Sequence, residues 1–284
     1  MTAIGIVSPG AMGSGLARAW RAGGARTVAT VTGRSVRTQG LAAGLELVPT
    51  LSDVVAASDL VVSICPPGAA ESCFTDIVNA AEATGTRPLI ADLNAIAPAL
   101  VVGLAARAEA AGLAFVDGSI SGGPPGPGSA TMLFLSGARA EEVAHLETDG
   151  LRRRVVGPAP GTASAVKMCT ASIYKGTAAL WSQALQTADR LGVLDVVLDD
   201  LRESDPGGVE GAAGRLAMAG SKSGRYVAEM EQIAATQGTA GTSRELFDAM
   251  AAVYGRLATT PLAQLSPEAA QDLDDLVEVL RRMR

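Results

Sequence analysis

Short, uninterrupted apolar runs alternate with helix-like stretches over the first 157 residues, and this alternation narrows the available folds more than any other feature. AIGIV at residues 3–7 leads into AMGSGLARAWRAGG. TVATV, DLVVSIC and PLIADL follow, then PALVVGLAARAEAAG, AFVDGS, TMLFLSG and RRVVG. Strands that are apolar at every position, rather than at every second one, suit a sheet covered by helices on both faces. The pattern predicts an α/β, Rossmann-type doubly wound parallel sheet. After Gly157-Pro158-Ala159-Pro160-Gly161, a stop followed by a helix start, the β-rich runs cease. The expected division is an α/β domain over 1–160 and an all-α domain over 161–284. Within the second, Leu273, Leu276, Val277 and Leu280 fall on one face of a final helix. Asp272, Asp274 and Asp275 lie early in it and Arg281, Arg282 and Arg284 late, which complements the helix dipole.

Charge and residue counts exclude several chemistries. The formal net charge is -6 with both signs interspersed, so there is no basic footprint for nucleic acid or an anionic membrane. No apolar run approaches a bilayer span, and Met1 is followed at once by a strand-like run with no signal-peptide character. Cys65, Cys73 and Cys169 lack the spacing of a zinc site or redox motif, and their odd number argues against a disulfide framework. A cytoplasmic setting is expected. The single histidine, His145 in AEEVAHLE, reads as a solvated surface residue. Histidine-dependent nucleophiles and histidine-rich metal sites are thereby disfavoured, and no metal is expected. A general acid or base must come from Lys, Asp, Glu, Tyr or Cys.

The first strand runs into Ser8-Pro9-Gly10-Ala11-Met12-Gly13 and then a helix. This is the setting of the dinucleotide turn G-x-G-x-x-G, whose glycines serve the tight turn, the approach of pyrophosphate and helix–strand packing. Ser8 replaces the first glycine, while Gly10 and Gly13 keep the other two roles. A left-handed Ser8 costs roughly 1–2 kcal/mol, small beside the roughly 8 kcal/mol of a micromolar complex. At the end of the second strand, where an NAD site usually places an acid for the ribose, the chain has Thr32-Gly33-Arg34-Ser35. Arg34 can pair with a 2'-phosphate instead, so the expected cofactor is NADP.

Six segments in order, IGIVSPGAMG, TGRS, SICPPGAA, DLNAIAP, VDGSISGG and GTASAVKM, resemble the β-hydroxyacid dehydrogenases, relatives of 6-phosphogluconate dehydrogenase and imine reductases. The resemblance implies that Pro66, Pro67 and the segment holding Asn94 face the nicotinamide side of the cofactor. It also implies that the backbone of Ser121-Gly122-Gly123 receives a substrate carboxylate, and that Lys167 is the general acid or base. The apolar setting of Lys167, SAVKMCTA, suits that role, because shielding from water lowers the pKa of an ammonium. Lys175 lies eight residues on and is the competing lysine. Relatives pair through their helical domains, so a homodimer is expected.

Two departures bear on the substrate. Ala171 stands where these dehydrogenases usually carry an asparagine one turn after the lysine. KSGRYVAEMEQIAATQG, from Lys222 to Gly238, resembles an uncharacterised 6-phosphogluconate dehydrogenase-like subgroup with a short helical domain, and the loop GGPPGPGS at 122–129 echoes the proline pair of imine reductases. The leading expectation is hydride transfer between NADP and a small hydroxy acid or related carbonyl compound. An imine reductase or reductive aminase, with Tyr174 and Asp117 as further proton-transfer candidates, is the alternative, and a non-catalytic NADP sensor is the third reading.

Overall fold

A computed structural model describes residues 1–126 and 128–284; Pro127, within the loop expected at 122–129, lies outside the described residues. The chain divides into two compact units, Met1–Met168 and Cys169–Arg284. The first contains β1 (Ala3–Val7), α1 (Ala11–Ala22), β2 (Arg26–Ala29), α2 (Val36–Leu41), β3 (Glu46–Leu47), α3 (Leu51–Ala56), β4 (Leu60–Ser63) and α4 (Ala70–Thr84). It continues with β5 (Leu89–Asp92), α5 (Pro98–Ala110), β6 (Phe115–Ser121), β7 (Thr131–Ser136), α6 (Ala140–Ala144) and β8 (Leu151–Gly157).

The eight described strands form one sheet in the order β3-β2-β1-β4-β5-β6-β7-β8. Chain direction across the sheet reverses between β1 and β4, the switch point at which doubly wound folds bind their ligands. The apolar runs are continuous because successive residues serve two cores. Ile4, Ile6, Leu60, Val62, Leu89 and Ala91 pack on one face with Leu16 and Trp20 of α1. Val7, Val61 and Ile90 face the other core, with Phe74 and Ile77 of α4 and Leu104 of α5. The sheet is parallel from β3 to β6, as expected of a doubly wound fold; β7 then pairs with β6 antiparallel, Asp117 opposite Ser136, and β8 runs parallel to β7.

A long helix, α7 (Thr162–Arg190), follows, and the division between the units falls inside it. The second unit is helical: α8 (Leu194–Ser204), α9 (Pro206–Glu210), α10 (Ala212–Ser221), α11 (Ser223–Thr239), α12 (Glu245–Leu257), α13 (Pro267–Gln271) and α14 (Leu276–Arg282). The last helix corrects the sequence reading. It begins only at Leu276, capped by Asp275, whose carboxylate accepts from Val277 N at 2.9 Å. Val279 and Leu280 are its buried positions, with Met283 buried just beyond its end, and Val277 is exposed. Asp275 ends the preceding chain by capping, so the apolar residue before it does not share the helix face. Among the described residues no helix is long and apolar enough to cross a membrane.

Candidate active site

The carboxyl ends of β1, β2, β4, β5 and β6 bring the sequence-selected residues of the first unit to one edge of the sheet. At the end of β1, Ser8 has φ +67°, the one non-glycine residue in the left-handed region among the described residues. It thus takes up the conformation that the missing glycine would supply, and its carbonyl accepts from Gly10 N at 2.8 Å. Gly13 is required by packing: a Cβ there would lie 2.6 Å from the Ser8 carbonyl oxygen. A Cβ on Gly10 would meet nothing within 4 Å, so the turn has an open cradle above it. Ala11 and Met12 begin α1, whose N-terminus carries no side-chain cap and no acid in its first turn. Such an end offers amide N–H groups and a positive dipole to an anion.

Beyond β2, Gly33 adopts φ +72° and turns the chain so that Arg34 is exposed. Ser35 caps α2, its hydroxyl accepting from Thr38 N at 3.3 Å. After β4, exposed Pro66 and buried Pro67 open a single 3-10 turn. This loop is fixed from β5. Asn94 accepts from Cys65 N through Oδ1 at 2.6 Å, and through Nδ2 it donates to Ser63 Oγ at 2.9 Å and Asp92 Oδ2 at 2.8 Å. With its amide spent on these partners and only 2% of its surface exposed, Asn94 holds the loop in place.

Asp92 lies beneath that network, almost wholly buried, and burial pushes its carboxyl up to about 7 against the pull of the two Asn94 hydrogen bonds. A carboxyl whose folded pKa is raised keeps its proton in the native state after the unfolded chain has released it. Its contribution to stability is therefore full below the usual 3.8 and is lost as pH rises towards 7. Denaturation at pH 4.5, 6 and 7.5 should show wild type losing about 3 kcal/mol relative to Asp92→Asn across that window. Parallel pH profiles for the two proteins would show that Asp92 is ionised throughout.

The β6 strand does the remaining positioning. Ser121 ends it, and Gly122 follows at φ +106°, where a Cβ would meet Thr131 Cα at 3.2 Å. Gly123 has open space where its Cβ would be, and its carbonyl accepts from Thr131 Oγ1 at 2.8 Å. Pro124 and Pro125 then pack against Gly15 of α1, where a Cβ would lie 3.0 and 3.1 Å from them. This brings the Ser121–Gly123 loop beside the helix of the dinucleotide turn.

Lys167, half-buried on α7, donates from Nζ to the Ile120 carbonyl at 2.7 Å, one residue before Ser121. The helix is locked in this register by Asp117, a fully buried residue of β6. Its carboxylate accepts from Ser164 Oγ at 2.6 Å, Gly161 N at 2.8 Å, Ser136 Oγ at 2.9 Å and Ser164 N at 3.1 Å. Ser119 adds a donor to Ala163 O at 2.6 Å. Asp117 is thus a helix clamp, without access to a substrate. Lys175, in the second unit, forms a buried ion pair with Glu229 and lies 4.9 Å from the Tyr226 ring centre; its charge is matched there. Tyr174 is exposed, and Ala171 is buried.

Sequence reasoning missed two features of this edge: the Asp117 clamp and the Ser63–Asp92–Asn94 network, at whose Ser63 end the Cys73 thiol also lies, 3.7 Å from Oγ. Each joins residues from different strands or across a loop. The only local signal was the polar residue at the end of each apolar run, in SIC, DLN and VDG.

The strand order, the open glycine turn and the converging strand ends define a Rossmann-type dinucleotide-binding fold. The family model for the NAD binding domain of 6-phosphogluconate dehydrogenase matches residues 3–148, and the chain belongs to that family. A second family model, a domain of unknown function (DUF1932), matches residues 188–257. The mitochondrial 3-hydroxyisobutyrate dehydrogenase of Drosophila melanogaster is 29% identical over 173 residues, 59% of this chain and 53% of that protein, so the match spans about half the length of the curated relative. The conserved protein MTH1747, described as structurally similar to 3-hydroxyacid dehydrogenases, is 28% identical with a TM-score of 0.67, covering 90% of this chain and 96% of its own. A conserved hypothetical protein of Sinorhizobium meliloti 1021 is 25% identical with a TM-score of 0.68, covering 100% and 97%. At 19% identity a Mycobacterium tuberculosis 3-hydroxyisobutyrate dehydrogenase, and at 21% a Myxococcus stipitatus imine reductase, share the fold alone.

The residues at this edge fit a dinucleotide. The cradle over Gly10 would take the pyrophosphate against the N-terminus of α1, and the tight Gly13 contact holds that helix close to β1.

Proposed function

We propose that the protein is an NADP-dependent oxidoreductase acting on a small hydroxy acid or a related carbonyl compound. The observation that carries this reading is the placement of Lys167 Nζ on the Ile120 carbonyl, next to the Ser121-Gly122-Gly123 loop at the carboxyl end of β6. When bound, the nicotinamide supplies or accepts a hydride. The remaining steps belong to the chain. The open backbone at Gly123 and its neighbours receives the substrate carboxylate, since glycine amides admit an anion closely. Lys167 then gives a proton to the carbonyl oxygen in reduction, or takes one from the hydroxyl in oxidation. The Asp117 clamp holds the lysine in reach of both. The activities named for the Drosophila dehydrogenase and for the relatives of MTH1747 support this substrate class.

In this reading the first unit is the dinucleotide domain and the helical unit serves assembly, in a cytoplasmic enzyme. Following NADPH oxidation against 2-keto acids, β-keto acids, aldehydes and cyclic imines tests it. Turnover of the acids or aldehydes supports the proposal, and silence in every panel favours the sensor. The Pro124–Pro125 contact on Gly15 and the small Ala171 favour one other substrate class, cyclic imines, and turnover of that panel alone would establish it.

Cofactor choice rests on Arg34. Its exposed guanidinium at the end of β2, with no acid in Thr32-Gly33-Arg34-Ser35, supports recognition of a 2'-phosphate. Arg34→Ala should weaken NADPH binding by about 10–100-fold, the usual worth of a charge-assisted hydrogen bond, and leave NADH nearly unchanged. Equal affinities of wild type for the two cofactors would overturn this.

Assembly rests on the second unit. Ile173, Tyr174 and Leu180 on α7 and Leu191 and Val196 beside and within α8 are apolar and largely exposed. A second copy of the chain covering them gives the homodimer expected of this family. Light scattering at micromolar concentration should return twice the chain mass, and a monomer would contradict it.

A further inference from the structure

Gly15 lies in the second turn of α1, where its backbone is helical. Glycine weakens a helix relative to alanine, so the reason for it lies in what packs there. A Cβ on Gly15 would stand 3.0 Å from Pro124 Cβ, 3.1 Å from Pro125 Cδ and 3.3 Å from Pro125 N. Ala19 and Gly23 continue the same helix face. Ala19 O accepts from Asp149 N at 3.2 Å, and the Gly23 backbone comes so close to the Glu147 carbonyl that no Cβ fits between them. These contacts are joined to one another on their far side. Gly150, at φ +67°, presses on Gly126, whose carbonyl oxygen a Cβ would meet at 2.5 Å. Ser129 Oγ donates to Gly150 O at 2.7 Å and accepts from Gly126 N at 3.2 Å, while Ser129 N donates to Gly126 O at 3.0 Å. Pro124 and Pro125, with φ fixed by their rings, therefore stand between the helix and the Ser121–Gly123 loop and pass a displacement on.

We propose that Gly15 is a positioning residue for the substrate: through Pro124 and Pro125 the dinucleotide helix sets the place of the Ser121-Gly122-Gly123 loop, and the missing side chain sets how closely that loop approaches α1. The inference rests on the proposed role of this loop as the receiver of the substrate carboxylate. Gly15 acts only through the two prolines. A methyl group there moves them by a few tenths of an ångström, because 3.0 Å is closer than carbon atoms pack. The N–H groups of Gly122 and Gly123 follow, and they are the loop's only N–H donors before Gly126, since the prolines have none. The Gly10 cradle lies on the turn that precedes α1, so cofactor affinity is spared.

The test compares wild type, Gly15→Ala and Pro124→Gly in the full chain. Residue-resolved hydrogen exchange without ligands should show the amides of Gly122, Gly123, Gly126 and Ser129 exchanging about tenfold faster in both variants, with those of α1 no faster. At saturating NADPH, the KM of the best carbonyl substrate from the screen should rise about tenfold while kcat and the NADPH Kd stay close to wild type, a split that loss of stability alone does not produce. Because both substitutions disturb one contact, the double variant should be no worse than the poorer single one. Unchanged loop exchange in both variants would overturn the positioning role. So would weaker NADPH binding at unchanged KM, which would put Gly15 in the cofactor site instead. If wild type turns over no substrate in any panel, the enzymatic reading fails, while hydrogen exchange still decides whether Gly15 holds the loop. Should Gly15→Ala not fold, Pro124→Gly carries both measurements.

Discussion

Lys167→Ala is expected to lower turnover by about 10²–10⁴-fold while NADPH affinity stays nearly unchanged, the share usually carried by one general acid or base. The separation follows from the geometry. Nζ sits on the Ile120 carbonyl beside Ser121, whereas the open glycine turn and Arg34 lie at the ends of other strands. Removing the ammonium therefore takes away the proton partner and leaves the groups proposed to hold the cofactor. Lys175→Ala is the control. Its ammonium is paired with Glu229 inside the helical unit, so its loss should appear as reduced stability, because the buried carboxylate keeps only the half-exposed Arg225 as its partner. Unchanged turnover in Lys167→Ala would remove that residue from the mechanism and favour the imine reductase reading. Asp117 would not inherit the role, since four donors already occupy its carboxylate and solvent does not reach it.

Asp117→Ala should be the most destabilising single change at this edge. It strands two backbone N–H groups and two hydroxyls in a buried site, and unsatisfied buried groups cost about 1–3 kcal/mol each before the hydroxyls reorient. A loss of roughly 3–5 kcal/mol is expected, or a fall of about 10 °C in Tm for a chain of this size. Because the carboxylate fixes the first turn of α7, the surviving folded protein should also turn over more slowly at unchanged NADPH affinity. Asp117→Asn, which keeps one acceptor, should fall between. A stable Asp117→Ala protein with wild-type turnover would show that α7 holds Lys167 without the clamp.

The parts of this molecule that were legible in the sequence are those that local chemistry dictates. The strands of the double core could be read because both faces are apolar, as in Val61 and Val62, and the dinucleotide turn because Gly10 and Gly13 fall at a strand-to-helix junction. Direction and pairing were not legible. The run TMLFLSG reads the same in either sense, so antiparallel β7 could not be told from a parallel strand, and β3 is two exposed residues, Glu46 and Leu47, with no pattern to detect. Most of the site's support was hidden for a related reason. Asp117 meets Gly161 and Ser164 across more than forty residues, and Asn94 reaches Cys65 N and Ser63 Oγ across 29 and 31 residues. The α14 face was misread because an aspartate that looked like a favourable charge inside the helix is its cap.

The central claim, that a hydride passes at this edge with Lys167 moving the proton, is tested most directly by isotope transfer. NADPH carrying deuterium at both hydrogens of the nicotinamide reducing carbon is incubated with the protein and the best carbonyl substrate from the screen, and the product is analysed by mass spectrometry. One deuterium should appear on the carbon that gains the hydroxyl, at a rate reduced by about 10²–10⁴-fold in Lys167→Ala. Reduced product without label, or equal labelling rates in wild type and Lys167→Ala, would contradict the account.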